Sequence, residues 1–377
     1  MLSEYTESVK IKFENVSKIY PNNVIAVDDL NLEIYEHELF VLIGPSGCGK
    51  TTTLKMINRL IDPTKGKIYI DGQDISRINP IELRLNIGYA IQEVGLFPHM
   101  TAEENIAVVP KLKKWPKDVI EKRVVELFNM IGMPPDIFRK RYPNELSGGQ
   151  RQRIGVARAL AGDPSIVLMD EPFGALDPLT RITLQDEFLR IKKLIKKTIV
   201  FVTHDIEEAM KLGDRLGIMR NGRLIQVGTP REILKNSKDD FVKSIIGADK
   251  FYKHIDVLKV EDFLIKDVPT VNLKYSLREV KDLMLKLDTE VVVVVDDEKR
   301  PLSIVSLKDI YKNEEEASRV EDVFKPIDLQ LEMHECALEA FKKMASLNIS
   351  FAPVVDDKGR LKGMITFKDT IKIMLSH

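Results

Sequence analysis

The sequence predicts an α/β protein in two parts, a parallel sheet that carries a glycine-rich loop and a duplicated β-α-β-β-α unit. The loop, residues 44–51, directly follows the apolar run Leu39–Ile43. Residues 166–171 are four apolar residues followed by two acids, which is typical of a buried parallel strand that delivers carboxylates at its carboxyl end. Towards the C-terminus, short segments recur at a constant spacing of 60 positions, which indicates an internal duplication.

The glycine-rich loop reads Gly-Pro-Ser-Gly-Cys-Gly-Lys-Thr and ends in Gly49, Lys50 and Thr51. Glycines allow successive backbone N–H groups to turn towards phosphate oxygens, and the lysine supplies a cation to the β- and γ-phosphates of a nucleotide. The threonine hydroxyl is a ligand for Mg²⁺, and a helix that begins near Lys50 would point its positive end at the phosphates. A glycine-rich turn that binds no phosphate is the alternative, but the complete pattern between a strand and a helix favours a nucleotide site.

Two further segments suit a site that hydrolyses a nucleotide. Asp170 would hold the Mg²⁺ shell, and Glu171 follows it where an attacking water could be oriented or deprotonated. Residues 146–150 read Leu-Ser-Gly-Gly-Gln and precede a run with helical spacing up to Leu160, which the serine and glycines would cap. Alone, this pentapeptide would be an ordinary turn. Its place 20 residues before Asp170 favours a functional role.

In this order the motifs resemble those of the ATP-binding subunit of ABC transporters, over about residues 10–245. The resemblance identifies 44–51 as the Walker A loop, 166–171 as the Walker B strand and 146–150 as the signature motif. In this family the signature loop of one subunit closes over the Walker A loop of another. The resemblance therefore implies a homodimer in which Ser147 and Gly149 donate hydrogen bonds to a γ-phosphate held by the opposite chain.

The resemblance also implies roles for four single residues. Gln92, after the strand-like run 87–91, fits the Q-loop that senses Mg²⁺ and the γ-phosphate, and Asp177 fits the D-loop. His204 fits the switch histidine that contacts the γ-phosphate, and Tyr20 fits the aromatic residue that stacks on adenine. Taken alone, His204 or Tyr20 would more often be a packed or half-exposed residue. Seven elements in the correct order favour the functional assignment.

These assignments define the predicted ATP site. The residues expected to contact ATP are Tyr20, Gly44, Ser46, Gly47, Cys48, Gly49, Lys50, Thr51, Thr52, Ser147, Gly148, Gly149 and Asp177. The residues expected to act in hydrolysis are Glu171, His204, Gln92 and Lys50, and those expected to hold Mg²⁺ are Thr51, Gln92 and Asp170.

Composition restricts the class of protein. With 377 residues the chain is long enough for two or three domains, and its formal charge of −1 gives no electrostatic reason to expect nucleic acid. A soluble ABC ATPase that acts on nucleic acid or ribosomes would be expected to show two ATPase halves or a basic arm, and the sequence has neither. The two cysteines, Cys48 and Cys336, form no CxxC or Cys/His pattern, so we expect neither a disulfide framework nor a zinc site.

We expect other polypeptides to cross the membrane, because no stretch approaches the roughly 20 apolar residues of a spanning helix and the N-terminus lacks a signal peptide. This favours a peripheral protein on the cytoplasmic face of the cell (inner) membrane, with two transmembrane permease subunits and an extracellular or periplasmic substrate-binding protein. Leu96, Phe97 and Met100 lie in an otherwise polar loop after Gln92. In importer ATPases this region leads into a helical subdomain, here about 93–155, that receives the permeases. The alternative is that these side chains pack on their own domain.

The duplication divides the chain into an ATPase domain, 1–250, and two copies of a smaller unit, 255–315 and 316–377. In each copy an amphipathic helix, 276–287 or 336–347, precedes a valine-rich strand, an Asp-Asp turn, another strand and a short helix. This pattern is similar to a tandem pair of CBS domains, which often bind adenine nucleotides.

The second copy keeps the CBS ribose-phosphate motif at Gly363, Thr366 and Asp369. In the first copy Ser303 replaces the glycine, although Ser306 and Asp309 keep a hydroxyl and a carboxylate. The resemblance implies that cyclic di-AMP or another adenine nucleotide binds the pair, with Asp369 accepting from ribose and Thr366 contacting a phosphate. The alternatives are that these side chains only cap the final helix, or that the pair senses ionic strength.

An ABC ATPase followed by a CBS pair resembles the ATP-binding subunit of osmoprotectant importers, which take up glycine betaine, carnitine or choline. The alternative is an importer ATPase for another small solute, such as proline or an amino acid, in which the CBS pair serves only for oligomerisation.

Overall fold

The computed structural model describes residues 8–91, 95–174, 176–247, 255–313 and 318–367. The chain divides into two compact units, Met1–Ile246 and Gly247–His377, and each unit has a hydrophobic core of its own.

The first unit combines strands with helices. In chain order its elements are β1 (Val9–Tyr20), β2 (Val24–Tyr35), β3 (Leu39–Ile43), α1 (Lys50–Ile57), β4 (Lys65–Ile70), β5 (Gln73–Asp74), α2 (Pro80–Leu85), β6 (Ile87–Ala90), α3 (Ala102–Leu112), α4 (Lys117–Met130), α5 (Pro135–Phe138), α6 (Gly148–Ala161), β7 (Ile166–Asp170), α7 (Pro178–Ile195), β8 (Thr198–Thr203), α8 (Ile206–Leu212), β9 (Arg215–Arg220), β10 (Arg223–Gly228), α9 (Pro230–Lys235) and α10 (Asp240–Ile246).

The central sheet of this unit has the strand order β10-β9-β3-β8-β7-β6. Its strands run parallel except for β10, which pairs antiparallel with β9. Every residue of β3, β7 and β8 is buried, as expected for strands covered on both faces. Because adjacent parallel strands end at one edge, the segments that follow β3, β7 and β8 meet there.

A second, antiparallel sheet has the strand order β2-β1-β4-β5, and α3 to α6 form a helical region between β6 and β7. Capping boxes begin two of these helices, Thr101 with Glu104 at α3 and Ser147 with Gln150 at α6. The predicted class of an α/β core with a small antiparallel section and a helical insertion is confirmed.

The second unit repeats one arrangement. Its strands and helices are β11 (Thr270–Val271), α11 (Leu277–Lys286), β12 (Val291–Val295), β13 (Pro301–Ser306), α12 (Leu307–Asn313), β14 (Leu331–Glu332), α13 (Ala337–Ser346), β15 (Phe351–Val355) and β16 (Leu361–Thr366). Two three-stranded sheets, β11-β12-β13 and β14-β15-β16, each pair the first two strands parallel and the last two antiparallel. The register also repeats, because Val271 pairs with Val294 and, 60 positions later, Leu331 pairs with Val354.

The departure of the first copy from the glycine motif has a structural reason. Gly363 lies where Ile265 crosses β16, and the backbone N–H groups of Ile265 and Met364 each donate to the other's carbonyl at 3.0 Å. A Cβ at position 363 would lie 2.3 Å from the Ile265 carbonyl oxygen. At the equivalent place in the first copy, the Ser303 hydroxyl donates to the Lys325 carbonyl at 2.7 Å. The first copy therefore uses a side chain where the second uses direct backbone contact.

We expect Gly363→Ala to loosen this crossing, at a cost of about 1–3 kcal/mol for overpacking. Hydrogen exchange at the Ile265 and Met364 amides, measured by mass spectrometry on the full chain, should accelerate. Ser303→Ala is the matched control, because it removes one hydrogen bond without adding volume and should leave those two amides protected. Unchanged exchange at both amides in Gly363→Ala would contradict the close approach.

Candidate functional site

The glycine-rich loop joins β3 to α1 at the edge where the parallel strands end. Gly47 and Gly49 have φ of 79° and 108°, a region that L side chains rarely adopt. A Cβ on Gly49 would also lie 2.3 Å from the Ala26 carbonyl oxygen, so the backbone there allows no side chain. No side chain caps the start of α1, so its first N–H groups are available to an anion held by the loop.

Lys50 is the buried cation of this loop. Its Nζ donates to the carbonyl oxygens of Gly44 and Pro45, at 2.7 and 3.0 Å. The Sγ of Cys48 lies 3.8 Å from the same Nζ, and burial raises the pKa of the Cys48 thiol. Cys48 therefore fills space as a small neutral group. Ser46 lies in the same loop, and Thr52 in the first turn of α1.

Thr51 and Asp170 bring a hydroxyl and a carboxylate together from α1 and β7. The Thr51 hydroxyl donates to Asp170 Oδ1 at 2.9 Å. Burial raises the pKa of Asp170, and the hydrogen bond from Thr51 opposes that effect. Among the described residues no three His, Cys, Asp or Glu side chains gather as a metal site. Mg²⁺ commonly binds one or two protein oxygens together with phosphate oxygens, so this pair fits the ion.

Glu171 and His204 meet at the same edge. The Nδ1 atom of His204 lies 3.1 Å from Glu171 Oε2. Glu171 has φ of 44°, which is uncommon for a residue with a side chain, and its N–H donates to the Val202 carbonyl at 2.9 Å. Such backbone strain clusters at functional sites. A carboxylate held next to an imidazole can orient water or accept a proton.

The predicted signature residues lie at the start of α6. Ser147 Oγ accepts from the Gln150 N–H at 3.3 Å, and the Ser147 N–H donates to Gln150 Oε1 at 2.9 Å. Gly148 and Gly149 form the first turn of the helix. No described hydrogen bond joins these residues to the glycine loop of the same chain.

Asp177 and Tyr20, two further residues of the predicted site, lie on other elements. Asp177 caps α7, where its Oδ1 accepts from the Thr180 N–H at 3.0 Å, and hydrogen bonds from Thr180 lower the pKa of Asp177. Tyr20 ends β1, and the Lys18 Nζ lies 5.4 Å from the centroid of its ring. Gln92 lies outside the described residues.

Two arginines that no sequence motif marks join loops of this unit. Arg158 on α6 donates to the Gly95 carbonyl at 2.7 Å, and its guanidinium carbon lies 6.0 Å from the Phe97 ring centroid. Arg181 contacts the segments around Leu176 and Asp205. Arginine on a helix is common on any protein surface, so the sequence carries no signal for either role.

A cleft of about 340 Å³ lies beside Arg158. Its lining includes Tyr89, Phe97, Val108 and Val109. Phe97 remains 40% exposed, so the apolar loop predicted after Gln92 is only partly covered by its own domain. None of the helices in the described part of the chain has the length and apolar character needed to cross a membrane.

In the second unit the first-copy motif caps a helix. Ser306 and Asp309 exchange backbone and side-chain hydrogen bonds at the start of α12, and Lys325 Nζ lies 3.0 Å from Asp309 Oδ1. Burial raises the pKa of Asp309, but the hydrogen bonds from Ser306 and Lys325 outweigh it, and the net direction is down. Both carboxylate oxygens are thus engaged. Thr366 is buried at the end of β16, and Asp369 lies outside the described residues.

Comparison with known proteins identifies similar sequences and folds. The ABC transporter family matches residues 27–174, and the CBS domain family matches residues 260–316 and 337–376. The glycine betaine/carnitine/choline transport ATP-binding protein of Bacillus subtilis is 44% identical over 365 residues, which cover 97% of this chain and 96% of that protein. The choline transport ATP-binding protein of the same organism is 45% identical, with the same shares covered. The osmoprotectant import ATP-binding protein of Salmonella typhimurium is 42% identical, and 94% of each chain is covered.

Solved structures resemble the first unit. A cassette of Clostridium perfringens, part of an ABC transporter complex, superposes with a TM-score of 0.57 at 27% identity and covers 64% of this chain and 95% of its own. An ATP-binding cassette solved as a dimer after hydrolysis, with ADP and Pi bound, superposes with a TM-score of 0.53 at 35% identity and covers 59% and 99%.

Proposed function

The chain belongs to the family of ABC transporter ATP-binding proteins, and we propose that it energises the uptake of quaternary-amine osmoprotectants through separate membrane subunits. The observation that carries the proposal is the convergence of Lys50, Asp170, Glu171 and His204 at one edge of the parallel sheet. The substrate class rests on the relatives, whose names specify glycine betaine, carnitine and choline and whose similarity covers both units.

The chemistry would use this chain's residues in distinct roles. The N–H groups of the loop and the Lys50 ammonium would hold the β- and γ-phosphates of ATP, while Tyr20 stacks on the base. Bound Mg²⁺, held by Thr51, Asp170 and Gln92, would neutralise charge on the phosphates. Glu171 would orient and deprotonate the attacking water, and His204 would hold the Glu171 carboxylate in place and contact the γ-phosphate.

Glu171→Gln should retain ATP binding and lower hydrolysis by about 10²–10⁴, because the amide can still accept from His204 but cannot take a proton. The measurement is phosphate release by the purified transport complex, together with uptake of radiolabelled glycine betaine, carnitine and choline by cells that carry it. Uptake should fall in parallel with hydrolysis.

Glu126→Gln is the control for that experiment, since Glu126 is an exposed carboxylate whose partner is Arg123 at 2.9 Å. It should leave both rates unchanged. Nearly normal phosphate release by Glu171→Gln would remove Glu171 from the role of base. Uptake of proline or another amino acid, and of none of the three amines, would favour an importer for a different solute.

We propose that the active unit is a homodimer with two shared sites. The Ser147 hydroxyl accepts the capping N–H and keeps its own hydrogen to donate, so it could serve a γ-phosphate held by another chain. Leu179 and Ile182, in the first turns of α7 beside Asp177, are 80% and 53% exposed, which suits a surface covered by a partner.

Mixed dimers test this sharing. In a dimer of one Lys50→Ala chain and one Ser147→Arg chain, a shared arrangement puts both lesions in one site and leaves the other intact. One site per mixed dimer should therefore hydrolyse or trap ATP, while each homodimeric variant is inactive. Complete inactivity of purified mixed dimers would place each site within a single chain.

The cleft beside Arg158 is the surface we assign to the permease subunits. It combines apolar side chains, including the half-exposed Phe97, with the cations Arg84 and Arg158. An apolar recess with a few charged groups suits a helix presented by a membrane protein. Docking there would keep the chain on the cytoplasmic face of the membrane, with a substrate-binding protein on the other side.

We propose that the CBS pair regulates transport by binding an adenine nucleotide, most directly cyclic di-AMP, at the second-copy motif. In the first copy Lys325 forms an ion pair with Asp309. The equivalent position 60 residues earlier is Ile265, an apolar residue. The second-copy carboxylate is therefore the better candidate for ribose hydroxyls, and a ligand there could alter transport only by favouring one arrangement of the dimer.

Asp369→Ala should weaken cyclic di-AMP binding and relieve its effect on uptake, with basal ATP hydrolysis nearly unchanged. Calorimetry on the full chain saturated with ADP measures the binding without interference from the ATP site. Asp309→Ala is the control, because its carboxylate is already engaged, and it should bind the ligand normally. If the wild-type chain binds no cyclic di-AMP and deletion of 255–377 changes only the salt threshold of transport, ionic-strength sensing replaces this proposal.

A further inference from the structure

Arg181 bridges two loops that flank the proposed ATP site. It lies in the first turn of α7, directly after Asp177 and its D-loop. Its Nη2 donates to the Leu176 carbonyl at 3.2 Å, and its Nη1 donates to Asp205 Oδ2 at 3.5 Å. One guanidinium therefore contacts the D-loop backbone and the residue that follows the switch histidine.

Asp205 sets the turn on which His204 sits. Its Oδ1 accepts from the N–H groups of Glu207 and Glu208, at 2.9 and 3.3 Å, and so caps α8. Its own N–H donates to the Thr203 hydroxyl at 3.0 Å. The backbone is thus held on both sides of His204, so a displacement of Asp205 would shift the backbone that carries the imidazole.

The charges around this contact favour a cation at position 181. Glu208 is buried, and burial raises the pKa of its carboxyl, with Asp205 adding to the effect and Arg181 opposing it. Hydrogen bonds from Gln185 and Thr203 also stabilise the Glu208 carboxylate. Arg181 therefore interacts with two carboxylates at the start of α8. It donates to Asp205 at the cap, and its charge favours the ionised form of Glu208 in the first turn.

The packing of α7 on α8 does not depend on Arg181 alone. Lys211 forms an ion pair with Asp186 at 2.7 Å, and Gln185 donates to Glu208 at 3.1 Å, both between the same two helices. What Arg181 adds is the link to the Leu176 carbonyl. The Nε of Arg181 is buried without an acceptor among the described residues. The hydrogen bonds of its guanidinium to Leu176 and Asp205 are made by the two Nη groups.

We propose that Arg181 is a positioning residue that couples the D-loop to His204. This inference rests on the proposed ATP hydrolysis. Arg181 would transmit a movement of the D-loop to the switch histidine of the same chain. The Arg181–Asp205 ion pair is long, at 3.5 Å, and the proposal requires it to shorten when the reactive complex forms.

The test uses the purified transport complex and three variants, Arg181→Gln, Asp205→Asn and the pair combined. Asparagine at 205 can still cap α8, so this variant removes charge without removing the turn. Each single variant should lower kcat for ATP hydrolysis by about 10- to 100-fold, as expected when a reacting group is displaced, with little change in nucleotide affinity. The double variant should be no slower than either single variant, because each single substitution already breaks the same Arg181–Asp205 link.

Lys211→Ala is the matched control, since it removes an ion pair between the same helices but touches neither loop. It should leave kcat within about twofold of the parent, and Arg181→Lys should recover part of the loss because it restores the charge but not both contacts. Equal losses in Arg181→Gln and Lys211→Ala, additive losses in the double variant, or a joint fall in kcat, nucleotide affinity and Tm would overturn the coupling role. Absence of hydrolysis in the parent complex would refute the proposed function instead.

Discussion

The register of three adjacent parallel strands is the constraint on which the ATP site depends. Ile43 of β3 pairs with Thr203 of β8, and Asp170 of β7 pairs with Val202 of the same strand. The glycine loop, Glu171 and His204 each follow one of these ends. A slip of one residue would turn every side chain of a strand to the opposite face and would shift the residue at which the strand ends, so the strand pairing that fixes the register also fixes the reactive groups.

Helix caps use several of the residues assigned to function. Ser147, Asp177 and Asp205 each accept N–H groups at the start of α6, α7 or α8. A cap of this kind contributes about 1 kcal/mol to helix stability and fixes the side chain in one orientation. The positive ends of the capped helices also favour negative charge nearby. The local interactions that start the helices therefore place these groups before any nucleotide binds.

Much of the fold could be predicted from the sequence because its signals are local. The apolar runs of β3, β7 and β8, the cap before α6 and the 60-residue repeat are contiguous or periodic, and each forms the expected element. The alternative role predicted for Thr366 and Asp369 was to cap the final helix, and at the equivalent positions of the first copy Ser306 and Asp309 form such a cap.

The links between loops could not be predicted, because each depends on one long side chain reaching a group that tertiary structure brings near it. Arg158 and Gly95 are 63 residues apart, and Arg181 and Asp205 are 24 apart, with no periodicity that relates them. Every residue has a backbone carbonyl that can accept from an arginine. The partner of such an arginine therefore has no characteristic residue type. Motifs therefore identify the candidate reacting groups, while the side chains that join the loops around them become visible only in the folded chain.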